Sequence, residues 1–239
     1  MTKLTISLLG YYQTALDGKS ITDFATDKAR ALLAYLAVES KRPHRRDALA
    51  GLLWPDQPRR KARHSLRQAL SHLRQTIRDQ DEDTPFLLVS RKTIQFNPDC
   101  DHRLDVAAFA ALVEDCRGHR HRRLEACLPC TRRVEQMIAL YRGDFLEQFF
   151  LGDSSGFEEW ATLKREWLHR EAVEALFHLT NHHERRGDYE RARQYARRQV
   201  ALEPWREEAH RQLMRLLALD GQRNAALAQY ETCRRALAD

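Results

Sequence analysis

RRKARHSLRQALSHLRQTIR, residues 59–78, decides how this chain is read. Leu66, Leu70, Leu73 and Ile77 recur at intervals of four, three and four, the spacing of one apolar stripe along an α-helix. The same stretch holds seven Arg or Lys and no Asp or Glu. A helix docked by that stripe turns all of its charge outward. With Leu66 as the centre of the buried side, Lys61, His64, Gln68, Ser71 and Gln75 collect on the opposite face, flanked by Arg67 and His72. Arg and Lys suit guanine edges and Gln suits adenine, so this face has the chemistry of a base reader.

The charge is segregated along the chain. Residues 1–98 carry 17 Lys/Arg against 10 Asp/Glu, whereas residues 99–239 carry 23 against 24. The whole excess of +6 therefore belongs to the first part, which points to a polyanionic partner for that part. A solvated basic surface is the plainer alternative. No apolar run approaches the ~20 residues of a membrane span, so no membrane partner is expected. MTKLTISLLG is too short and too regularly alternating for a signal peptide. Five cysteines make a poor disulfide framework, and a reducing, cytoplasmic setting is expected. Gly-x-x-x-x-Gly-Lys, His-Glu-x-x-His and Gly-x-Ser-x-Gly sequences are all missing, so an enzyme is not expected.

Working outward, LTISLLG alternates as a half-buried strand, YYQTALDG ends in an Asp17-Gly18 turn, and KSITDF resumes beyond it. These segments predict a small antiparallel sheet. Thr26 can cap a helix running to about Glu39, and a short helix from Arg46 to Trp54 is stopped by Pro55. After the helix of residues 59–79, FLLVS and TIQF read as a hairpin joined at Arg91-Lys92, although its turn lacks Asn-Gly or Asp-Gly. In this order LLAYLAVES, RRDALAGLLWPD, ARHSLRQALSHLRQTI and the hairpin resemble the OmpR-type winged helix, over about residues 4–97. The resemblance implies that the third helix enters the major groove of double-stranded DNA. His64, Arg67, Gln68, Ser71, His72 and Gln75 are then the candidates for facing bases. Arg45, Arg46, Arg60, Lys61, Arg63, Arg74, Arg91 and Lys92 are the candidates for phosphates.

Beyond Pro98 the pattern turns helical. Asp105 can cap LDVAAFAALVEDC, while PCTRRVEQMIALYRG places Pro129 in a first turn and Gly143 past the end. Ser155 and Glu158 make a possible capping box before a helix expected to bury Trp160, Leu163, Trp167 and Leu168. GDYERARQYARRQVALEP (187–204) has a partner 34 residues on, Gly187 matching Gly221 and Ala192 matching Ala226, with Tyr230 against Ala196. That period is the tetratricopeptide signature. Trp205 is expected in packing between repeats. His182 and His183 are expected as cationic groups at a helix C-terminus.

LDVAAFAALV, LYRGDFLEQFFL, EEWATLKREWL and the repeats together resemble the bacterial transcriptional activator domain, which follows an OmpR-type winged helix in SARP-type regulators. The expected fold is mainly α: an α+β winged helix over residues 1–98, then an all-α tetratricopeptide-like domain over 99–239. The resemblance implies an activator binding promoter DNA, as a homodimer or at direct repeats. Its helical domain would dimerise, contact RNA polymerase or relay a signal from further C-terminal domains absent from this chain. The competing reading is a tetratricopeptide scaffold whose winged helix binds protein.

CRGHRHRRLEACLPC, residues 116–130, stands apart from both readings. Cys116, His119, His121, Cys127 and Cys130 offer five potential ligands, and Cys-x-x-Cys is a common half-site for tetrahedral zinc. A structural zinc tying this loop together and a basic loop with incidental cysteines both remain open. No cofactor is otherwise required.

Overall fold

The computed structural model describes residues 2–79, 84–120, 124 and 127–238. They form two compact units, Met1–Ala108 with Arg142–Trp167, and Phe109–Tyr141 with Leu168–Asp239. The units cut across the expected boundary at residue 98, because segment 142–167 belongs with the N-terminal residues.

In the first unit, β1 (Leu4–Ser7) pairs antiparallel with β2 (Gln13–Leu16), which pairs antiparallel with β3 (Lys19–Ser20). Asp17 and Gly18, at the turn, both take positive φ (49° and 77°), the geometry a two-residue hairpin connection asks for. A fourth strand, β7 (His102–Leu104), lies parallel to β1 on its other side, in a segment read from sequence as leading straight into a helix.

Three helices follow β3: α1 (Asp27–Val38), α2 (Arg46–Leu53) and α3 (Arg59–Thr76). Thr26 caps α1 by accepting from the Ala29 N–H at 3.2 Å. The α3 stripe is buried as its spacing requires, with Leu66, Leu70, Leu73 and Ile77 each at 4% exposure or less and Ala62 and Ala69 beside them. α3 packs on α1 and α2, and α1 lies on β6. The hairpin is β5 (Leu87–Val89) with β6 (Thr93–Phe96), and β4 (His44–Arg45) adds a third strand on the far edge of β6. The winged-helix order expected from sequence is thus present, with two further short strands.

Segment 142–167 completes this unit from a distance in sequence. The Leu146 N–H donates to the Leu8 carbonyl at 2.8 Å, and the Gly10 N–H to the Asp144 carbonyl at 3.0 Å. Gly143, past the end of α5 (Leu128–Leu140) as expected, also serves this approach: a Cβ there would lie 3.2 Å from the Gly10 Cα and collide with the Glu147 carboxylate.

Asp105 departs from its expected role. It opens α4 (Asp105–Gly118), and Oδ1 accepts from the Val106 N–H at 2.8 Å. Its carboxylate, however, reaches the end of β1, taking the Leu8 N–H on both oxygens at 2.9 Å and the Leu9 N–H at 3.0 Å. Arg142 approaches the same group at 3.2 Å.

α6 (Ser155–Arg185) does not start with the expected capping box. The Ser154 carbonyl takes the first helical N–H groups, from Phe157 and Glu158, while Glu158 accepts from the Leu151 N–H at 2.7 Å. Leu168 is buried, Trp160 and Trp167 are half-buried, and Leu163 faces solvent. Trp160 spans an aromatic contact with Tyr35 and donates to Glu39 at 3.0 Å, which is why it turns inward.

In the second unit, α7 (Tyr189–Leu202), α8 (Glu207–Leu219) and α9 (Arg223–Ala236) stack as neighbours in sequence, α8 against both others. Ala192 and Ala196 are fully buried against Leu213, Leu216 and Leu217, as the repeat pattern expects. Gly187 and Gly221 take φ of +72° and +74° in the two equivalent turns. Trp205 does not pack between repeats but is 65% exposed. His182 and His183 are both buried at the end of α6. Burial pushes the His183 pKa below the usual imidazole value, against the opposing pull of Asp188 at 3.3 Å.

Replacing Asp105 with Ala removes the acceptor for three buried backbone donors, those of Leu8, Leu9 and Val106, and the carboxylate that Arg142 meets. The variant should unfold with about 3–5 kcal/mol less stability by urea denaturation. Arg142→Ala, whose guanidinium is half exposed, should cost about 1 kcal/mol or less.

Candidate nucleic-acid interface

Two connections set the wing beside α3. β4 pairs with β6 through Arg45 and Thr93, which carries the start of α2 to the hairpin. Arg46 then fastens it: its N–H donates to the Lys92 carbonyl and its Nε to the Ser90 carbonyl, each at 3.0 Å. The hairpin turn, which lacked an Asn-Gly signal, is organised by Ser90. Its hydroxyl accepts from the N–H groups of Lys92 (3.1 Å) and Thr93 (2.9 Å). A Ser two or three residues before the returning strand was the available signal for this turn.

The result is a cleft of 770 Å³ lined by Arg46, Arg59, Arg60, Arg63, Leu66, Arg67 and Arg91. Asp47 answers part of this charge, with Oδ2 2.6 Å from Arg59 and Oδ1 2.9 Å from Arg63. The Arg59 hydrogen bond holds the Asp47 carboxyl below its ordinary pKa. Burial, and then the like charges of Arg67 and Arg63, lower the pKa of the Arg46 guanidinium. Like charges crowded in this way are stabilised by an anion.

Of the residues singled out from sequence, Arg46, Arg60, Arg63, Arg67 and Arg91 come together in the cleft. His64, Gln68, Ser71, His72 and Gln75 lie exposed along α3, and Arg45, Lys61 and Lys92 are exposed near its start and at the wing. Arg74 is placed differently. Its Nε donates at 2.7 Å to Asp79, whose other oxygen accepts from the Leu87 N–H at 2.9 Å. Asp79 is buried, so Arg74 compensates a buried carboxylate that joins the end of α3 to β5. Sequence reading passed over Arg59, although its spacing of four from Arg63 and eight from Arg67 puts the three on one side of α3.

The second constellation lies in the other unit. His119 follows the end of α4, Cys127 precedes α5, and Cys130 sits in the first turn of α5. Nδ1 of His119 lies 3.0 Å from Sγ of Cys130 and 3.4 Å from Sγ of Cys127. The three donor atoms are within 4.8 Å of one another. Cys116, on the last turns of α4, has its Sγ 3.9 Å from the Cys130 carbonyl. Burial, reinforced by Cys127 and Cys116, pushes the Cys130 thiol up to about 12. His121 lies outside the described residues.

The two arginine roles are separable. Arg74→Ala should cost about 1–3 kcal/mol of stability, by stranding Asp79, and leave the salt dependence of duplex DNA binding unchanged. Arg67→Ala should reverse that pattern, with an unchanged thermal midpoint and a shallower salt slope.

Residues 24–93 match the family model described as transcriptional regulatory protein, C terminal. Residues 104–239 match the model of the bacterial transcriptional activator domain. No curated protein matches the chain. Among solved structures, the chain is similar to Mycobacterium tuberculosis EmbR in complex with a low affinity phosphopeptide, at 25% identity and a TM-score of 0.67. The match covers 100% of this chain and 61% of that one, so this chain spans less than two thirds of its relative's length. Both models fall on the segments that the winged-helix order and the helical repeats mark out, and the second covers more than half of the chain. The chain belongs to the bacterial transcriptional activator domain family, as a SARP-type regulator whose activator domain follows an OmpR-type winged helix.

Proposed function

We propose that the protein is a transcriptional activator that binds promoter DNA by laying α3 in the major groove, with the Arg91–Lys92 tip of the wing against the flanking backbone. The observation that carries this reading is the arginine-lined cleft between α3 and the wing. Duplex DNA presents one negative charge per about 1.7 Å of axis, and phosphates contacted by arginine release their counterions. The cleft supplies orientation and affinity in this reading. The exposed face of α3 supplies the sequence preference, with Gln68 or Gln75 suited to adenine. The helical domain then serves to dimerise, to contact RNA polymerase or to relay a signal, roles that rest on family membership.

The test is fluorescence anisotropy of the full chain on a mixed-sequence duplex across a salt series. Neutralising about four to six phosphates gives a slope of log K against log salt of about −3.6 to −5.4. Replacing Arg63, Arg67 and Arg91 together with Ala should make that slope shallower by about 2–3. A folded chain that binds no duplex at low salt overturns the proposal. Once a preferred site has been selected from random sequence, Gln68→Ala should relax discrimination at one base pair by about 1–3 kcal/mol.

A further inference from the structure

We propose that the second unit holds a structural zinc ion, ligated by Nδ1 of His119 and the thiolates of Cys127 and Cys130, which clamps the end of α4 to the start of α5. The site is built from two segments. His119 leaves α4, and the Cys-x-x-Cys pair brackets the beginning of α5. Tetrahedral zinc binds nitrogen at about 2.0–2.1 Å and sulfur at about 2.3 Å, so its N and S ligand atoms stand about 3.6 Å apart. The two observed N···S separations, 3.0 and 3.4 Å, fall slightly inside that figure. A cation can therefore be admitted by spreading these two separations a few tenths of an ångström.

The geometry also fits a cation better than it fits thiol hydrogen bonds. One imidazole nitrogen has a single in-plane lone pair, yet two sulfurs crowd the same Nδ1. A metal ion engages all three donors at once. The backbone is set for it: the Cys127 carbonyl accepts from both the N–H (2.9 Å) and the hydroxyl (3.1 Å) of Thr131, which fixes the turn carrying the pair. Binding displaces two thiol protons to solvent, so affinity falls as pH is lowered. Cys116 is the neighbouring described thiol and the candidate for the fourth position.

Structural closure is the role that follows. Cys116, His119 and Leu124 line a 510 Å³ cleft together with Val134, Met137, Glu171 and His178. Fixing His119 to the start of α5 fixes part of that lining.

The experiment is metal analysis of the full chain purified without chelator, followed by cobalt substitution. About one zinc per chain is expected, with a sulfur-to-cobalt charge-transfer band after exchange. Two thiolates in that band assign Cys127 and Cys130, and three add Cys116, in which case Cys116→Ser removes the increment. His119→Ala and Cys127→Ser should each weaken binding at least tenfold, while Cys100→Ser and Cys233→Ser leave it unchanged. Should the site variants fail to fold, the wild-type chain carries the test by alkylation: zinc should protect Cys127 and Cys130, and a strong chelator should expose them and lower the thermal midpoint. A chain that binds neither zinc nor cobalt, or whose Cys127 and Cys130 alkylate equally with and without zinc, overturns the proposal.

Discussion

The first unit hangs on one buried carboxylate. Asp105 accepts from the backbone of Leu8 and Leu9 at the end of β1, and from Val106 at the start of α4. A charge buried on this scale is tolerated because several donors meet it at once. What it enforces is topological. β7 runs parallel beside β1, so the three helices and the wing, which lie between β3 and β7 in sequence, leave the four-stranded sheet at one edge and return to it at the other. Adjacent strands stand about 4.8 Å apart, so the sheet holds the two ends of the inserted winged helix three spacings, about 14 Å, from each other. Its helices and hairpin are positioned by a closed frame rather than by a tether at one end.

Within that frame the interface follows from two opposed demands on α3. The stripe through Leu66, Leu70, Leu73 and Ile77 commits one side to the core and fixes the rotation of the helix. Its charged side chains then face outward, and Arg59, Arg60, Arg63 and Arg67 line the cleft with Arg46 and Arg91. Such crowding is unfavourable in the free chain. It is kept because Arg46 is needed where it stands, bridging to the carbonyls of Ser90 and Lys92 and so holding the wing. Arg46 therefore both builds the cleft and charges it. Arginine suits that double task better than lysine, since its planar fork can hold a carbonyl with one edge and present another.

What was legible in the sequence is what neighbours in sequence determine. The spacing of the α3 stripe, the Thr26 cap, the Asp17-Gly18 turn and the paired glycine turns of the 34-residue repeat are all set by neighbours in sequence, and all are present. What was not legible depends on distant partners. β4 and β7 are two and three residues long, too short for any periodicity, and exist only because β6 and β1 offer free edges. Asp105 has the appearance of a helix cap, but its main donors lie 96 and 97 residues away. Arg74 shares a side of α3 with Arg67, and only buried Asp79 distinguishes their roles. Among the candidate metal ligands, spacing suggested the group of five, but only the folded turn brings His119 onto the Cys127–Cys130 pair.

The repeats show the same division within a single motif. Gly187 and Gly221 impose the same left-handed turn, at φ +72° and +74°, because only glycine adopts that conformation without strain. The residues that follow them do not share a fate. Ala192 and Ala196 are fully buried against α8, whereas their counterparts Ala226 and Tyr230 are half-buried and exposed. A turn is fixed by its own residues, so equal sequence gives equal geometry. Burial is fixed by what stacks on the helix, so equal spacing gives equal burial only where the neighbours are also equal. The glycine period therefore establishes how many turns the array makes, while the packing of each helix has to be read from its own contacts.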